Sequence, residues 1–231
     1  MQEKDAQLRL MEISTWVSKM LRKNFGRGPE TCQAFLRHPY LTVTIRGFLS
    51  PMEVILLENG HLDSIESSRR IVMNSVLNQL KGVLEVEFDQ DVLHFYHDWN
   101  FERNTGMIIA VFEGSAAEDD NAADPFPERE ALTAEAARIS LLVEKTPERT
   151  EAYRITPKLY LVKRTGILVP IEKALIAKGY QQALLVTKDE LEISYFRREG
   201  RFEEIFRQSV AELFVDWNFA EDNSLLGIVL A

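Results

Sequence analysis

Cysteine is nearly missing from this chain: Cys32 is the single one in 231 residues. An intrachain disulfide is therefore excluded, as is a cysteine-based metal cluster, and a cytoplasmic setting is the expectation. Long apolar runs are missing too. The longest, such as MIIAVF at 107–112, span about six residues, where a membrane-crossing helix needs roughly 20. Positive charge is in deficit, with 27 Lys and Arg against 36 Asp and Glu and a net charge of -9. That field repels phosphate backbones and anionic headgroups, so no nucleic-acid partner is expected and any membrane role is peripheral. The opening MQEKDAQLRL lacks the regions of a signal peptide. With 45% hydrophobic and 27% charged residues, the chain reads as a soluble globular protein.

What is present is a repeat. DWNF occupies Asp98 to Phe101 and again Asp216 to Phe219, 118 positions later. At the same shift Pro29-Glu30 meets Pro147-Glu148 and Ala34-Phe35 meets Ala152-Tyr153. After a one-residue insertion Gly47, Pro51, Glu53 and Gly60 fall on Gly166, Pro170, Glu172 and Gly179. The original shift returns for Gly82 with Gly200 and Val92 with Val210. Gly and Pro constrain backbone geometry, so their collinearity points to a shared fold. The expected organisation is a first domain over 1–113, an acidic linker over 114–129 and a second, diverged domain over 130–231.

Within the first copy, Ile13, Trp16, Val17, Met20 and Leu21 follow a helical period that ends at Gly26 to Pro29. Two short strand-like runs flank His38-Pro39. Ser50-Pro51-Met52-Glu53 has the form of a capping box, opening a short helix that stops at Gly60. Met73, Leu77, Leu80, Leu84 and Phe88 predict a long helix from Leu62 to Phe88, running through Gly82. In the second copy Leu191, Tyr195, Phe202 and Phe206 continue that pattern through Gly200. Residues 183–196 also suit a strand, and alignment with the first copy favours helix. Glycine inside both helices suggests a close neighbouring backbone. Asp91 to Trp99 and Gly106 to Phe112 form a closing hairpin. The fold class is thus α+β, two homologous domains, each with helices on a four-stranded antiparallel sheet. DWNF marks the corner of the closing hairpin, with Asp98 and Asp216 bonding turn backbone and Trp99 and Trp217 plugging the core.

Gly26-Arg27-Gly28-Pro29 after an amphipathic helix, Ile45-Arg46-Gly47-Phe48-Leu49-Ser50-Pro51 with Glu53, and the closing hairpin with Asp98 together resemble the MpsC family. The likeness covers about residues 10 to 113 well and 130 to 231 more loosely, as a tandem duplication. The family's single copy is doubled here. Glu144-Lys145-Thr146 replaces the Gly-Arg-Gly, and Val169 replaces Ser50. The resemblance implies an accessory protein of a sodium-linked, membrane-potential-generating system associated with inorganic-carbon uptake, and it brings no established catalytic residues.

Candidate chemistry is sparse. Gly26-Arg27-Gly28 offers N–H groups and a guanidinium to an anion, but it lacks the spacing of a P-loop and follows a helix. A helix stop is the plainer reading. Arg46, matched by Arg164 or Lys163, places a basic group at a strand end where a carboxylate or bicarbonate-like anion could bind, unless it is a surface-paired arginine. Arg27, Arg46 and Arg164 are therefore the binding candidates. His94 and His97 point to opposite faces of a strand, so no metal site is expected. No catalytic arrangement and no cofactor motif presents itself.

The expected function is a non-enzymatic accessory or protein-interaction module linked to a membrane ion or inorganic-carbon transport system. Its partner would be a protein, and its two copies would act as a pseudo-dimer. The alternative is a small-anion or small-molecule sensor that binds between the domains or in each helix-sheet cleft.

Overall fold

The computed structural model describes residues 2–114 and 126–231. The chain divides into two compact units, Met1–Ser115 and Ala116–Ala231. Most of the segment expected as an acidic linker lies outside the described residues. Phe126, near its end, is buried against Tyr160, ring centroids 5.4 Å apart.

The first unit begins with α1 (Gln2–Phe25), whose Ile13, Val17, Met20 and Leu21 turn inward at helical spacing. Gly26, at φ +77°, stops it, as expected of a left-handed helix terminator. The hairpin β1 (Thr31–Arg37) and β2 (Tyr40–Arg46) follows, then α2 (Pro51–Glu58), α3 (Leu62–Phe88), β3 (Val92–Asn100) and β4 (Thr105–Phe112). The sheet order is β1-β2-β4-β3, so the central strands of the two hairpins pair antiparallel. Leu41, Val43 and Ile45 of β2 with Ile108 and Ala110 of β4 share one apolar cluster with the buried faces of α1 and α3.

The second unit contains α4 (Arg129–Val143), β5 (Arg149–Thr156), β6 (Leu159–Thr165), α5 (Pro170–Ala177), α6 (Gln181–Glu199), α7 (Phe202–Phe206), β7 (Val210–Asn218) and β8 (Asn223–Leu230). Its sheet order, β5-β6-β8-β7, repeats that of the first. The structure is α+β with two similar halves. A register shift between Arg154 and Thr156 in β5 accounts for the inserted residue.

Three expectations about helices need correction. Gly82 was expected against a close backbone, yet it lies on an exposed face of α3 with no atom within 4 Å of where a Cβ would sit. Gly200 does not lie inside a helix: α6 ends at Glu199, Gly200 takes an extended conformation, and α7 restarts at Phe202. A Cβ there would collide with the Phe196 carbonyl oxygen and the Phe202 ring. The inward face of α6 also differs from the expected stripe. Leu191 is exposed, and Lys188, Glu192 and Phe196 are buried. Apolar periodicity misjudged that face because the charges on it are neutralised by partners from other elements.

Candidate functional site

The capping box at Ser50 forms as expected. The Glu53 N–H donates to Ser50 Oγ at 3.3 Å, and the Ser50 N–H donates to Glu53 Oε2 at 2.8 Å. Glu53 has a second duty. Its Oε1 accepts from Arg69 Nε at 3.0 Å and Nη2 at 2.6 Å, with the two side chains only 1% and 6% exposed. Removal from water lowers the pKa of Arg69, and the Glu53 carboxylate acts against that shift. The guanidinium lies 4.1, 4.2 and 4.7 Å from the ring centres of Phe25, Phe48 and Trp99. Ring faces are negative, so this aromatic cage offsets part of the lost hydration.

The second unit builds a larger cluster at the same place. Glu172 donates nothing but accepts the Val169 N–H at Oε2, 2.8 Å away, though Val169 has no hydroxyl to complete the box. Its Oε1 accepts from Lys188 Nζ at 2.8 Å, so Lys188 and Glu172 take the parts of Arg69 and Glu53. Lys188 also bonds Glu144, and its Nζ lies 3.8 Å from the Trp217 ring centre. Beside them Arg164 donates to Glu192 and, at 3.0 Å, to Ser140 Oγ.

These contacts revise the binding candidates. Arg164 was offered as the counterpart of Arg46 at a strand end. However, Gly47 and Gly166 hold equivalent turns, at φ +70° and +69°, so Arg46 aligns with Thr165 and Arg164 with the buried Ile45. Adjacent strand residues face opposite ways, which leaves Arg46 exposed and Arg164 inside. Arg27 is exposed, with its Nη2 3.4 Å from Glu30.

DWNF leads into the closing turn: Asp98, Trp99 and Asn100 still pair in β3, as Asp216, Trp217 and Asn218 do in β7, and the turn begins at Phe101 and Phe219. Asp98 and Asp216 each accept the N–H of the following tryptophan, while Asn100 and Asn218 accept from Arg103 and Glu221. Sequence reasoning missed that Trp99 and Trp217 cover buried cations. It also missed the clasp beside them. Asn104, at φ +54°, uses Oδ1 to accept the N–H groups of Phe48 and Leu49 at 2.7 and 2.9 Å, and its carbonyl accepts that of Gly47 at 2.8 Å. Asp222, at φ +49°, makes the same three bonds to Ile167, Leu168 and Gly166. Asn and Asp tolerate left-handed backbone better than other non-glycine residues, and that was the available signal.

Residues 8–114 match the model of a family described as "Na+-translocating membrane potential-generating system (MpsC)". The first unit matches the MpsC family over nearly all of its length. No curated protein and no solved structure matches the chain. In this unit a groove of about 250 Å³ runs between α1 and β1, lined by Ser14, Thr15, Ser18, Lys19, Arg22 and Cys32. Burial pushes the Cys32 thiol up to about 11, against a hydrogen bond with Ser18, so it remains a thiol at neutral pH. Burial, with the nearby cations Arg70 and Arg69, pushes His97 down to about 4 and keeps its ring neutral.

Proposed function

We propose that the chain is a non-catalytic accessory subunit that docks on a membrane protein of an ion-translocating, inorganic-carbon-linked system. The match of residues 8–114 to MpsC carries this reading. No helix among the described residues is long and apolar enough to cross a membrane. A member of a membrane-potential-generating system built in this way acts through the spans of a partner. The buried charges support a structural role, because Arg69, Glu53, Lys188 and Glu172 are committed to one another and to helix caps. The short helix α2 leaves Met52 and Ile55 67% and 60% exposed, side chains of the kind that anchor a protein contact. The tagged chain should recover an integral membrane protein from native membranes, and a Met52→Ser, Ile55→Ser variant that still folds should recover less. Recovery of no integral protein would sink this reading.

A second reading, a small-anion sensor, draws on the groove of the first unit, where Lys19 and Arg22 stand among three hydroxyls. Bicarbonate, phosphate and nucleotides added singly should then raise the melting temperature, and Arg22→Ala should remove the effect. Unchanged melting with all of them would dismiss it.

A further inference from the structure

The buried cluster of the second unit holds one carboxyl too many. Glu144, Glu172 and Glu192 stand against Lys188 and Arg164, and the side chains of Glu144, Lys188, Glu192 and Arg164 are 4% exposed or less. Its members come from every side. Ser140 lies on α4 and Glu144 at its end, Glu172 on α5, Lys188 and Glu192 on α6, Arg164 on β6, and the uncharged Trp217 on β7.

Most of the oxygens are used. Both Glu172 oxygens are bonded, Glu144 Oε1 accepts from Lys188, and Glu192 Oε2 accepts from Arg164. Lys188 Nζ lies 3.7 Å from Glu192 Oε1, beyond hydrogen-bond length. Glu144 Oε2 and Glu192 Oε1 are left buried without a donor. The two carboxyls that carry them crowd one ammonium, Lys188 Nζ, which bonds Glu144 Oε1 and lies 3.7 Å from Glu192 Oε1. Two ionised carboxylates cannot bond, since both only accept, but one proton shared by the pair supplies a missing donor and balances the charge.

The first unit lacks this feature. At the corresponding places stand Gly26 for Glu144, Met73 for Glu192 and Ile45 for Arg164, leaving a single Arg69–Glu53 pair.

We propose that the second unit is a proton-binding site in which Glu144 and Glu192 share one proton, and that loss of this proton releases the end of α4 from α6. Glu144 is the member that moves, because it follows the last turn of α4, while Glu192 is held within α6 by Arg164. The site gives the chain a response to alkaline pH that does not depend on the docking reading.

Desolvation, then the Glu192 charge and hydrogen bond, push the Glu144 carboxyl up to about 8 against the opposing pull of Lys188. The folded chain thus keeps a proton that the unfolded chain gives up in the ordinary carboxylate range. Stability falls as pH rises from that range through about 8, and levels off above it.

Infrared difference spectra of the full chain, titrated from acid to alkaline pH, read the proton directly. The expected result is a buried carboxylic-acid C=O band that disappears with a midpoint near 8 and is absent from Glu144→Gln and Glu192→Gln. Glu144→Gln should also flatten the fall of melting temperature over that interval. If neither variant folds, the wild-type titration decides alone. A neutral-pH spectrum without such a band, or a band that persists in both variants, would overturn the proposal. Either result leaves membrane pull-down, and so the docking reading, untouched.

Discussion

Arg69 donates from both Nε and Nη2 to a single oxygen of Glu53, while the other Glu53 oxygen holds the start of α2. One carboxylate thus ties the cap of a short helix to the N-terminal third of a long one, 16 residues away. Truncating Arg69 would strand a charge that is also a cap. Arg69→Ala should destabilise the first unit by about 3–5 kcal/mol, the usual cost of breaking a buried pair from one side. Urea unfolding followed by tryptophan fluorescence measures it. The double variant Glu53→Gln, Arg69→Met should recover a substantial part of the loss, since no lone charge then remains.

Asn104 should tolerate Asp and not Ala. Alanine keeps the backbone bond from Gly47 but loses the acceptor for Phe48 and Leu49 and sits poorly at φ +54°. A loss of about 1–3 kcal/mol is expected, with faster hydrogen exchange at the Phe48 and Leu49 amides. Asn104→Asp reproduces what Asp222 already does in the second unit and should cost less than half as much.

Asp222 sets an acid limit for the second unit. Burial raises its pKa, but N–H groups of Leu168 and Ile167 and the ammonium of Lys173, 2.9 Å away, outweigh burial and hold it below the usual range. Its contribution is present above the unfolded carboxylate value and is lost as pH falls through the lower folded one. Asp222→Asn should weaken the acid dependence of melting while preserving the two backbone bonds. A melting curve with unchanged acid dependence would refute this assignment.

The two helix-region glycines should respond oppositely to alanine. Gly82→Ala fills open space on an exposed helix and should stabilise by about 0.5–1 kcal/mol. Gly200→Ala drives a methyl group into the Phe196 carbonyl oxygen and the Phe202 ring, so it should destabilise. Thermal unfolding of both variants under one condition tests the contrast.

Much of the architecture was legible locally. The helix stop at Gly26, the Ser50–Glu53 box, the span Leu62–Phe88 and the closing hairpins depend on neighbours a few residues apart, and they stand where periodicity and turn chemistry put them. The break at Gly200 escaped notice because apolar spacing carries across it in the sequence while the backbone does not.

The candidate site was much less legible. A Lys188–Glu192 pair at helical spacing reads as a solvated surface feature, and Glu144 as a loop acid. What the linear pattern settled was regularity: where helices, hairpins and caps lie, because short-range hydrogen bonding and side-chain period act within a few residues. Which charges go inside was decided only by packing. A buried ion survives there when partners distant in sequence meet it, as Glu144 and Lys188 do across 44 residues and Arg164 and Glu192 across 28. No local rule carries that information, since the desolvation of each charge is balanced by groups that only the folded chain brings together.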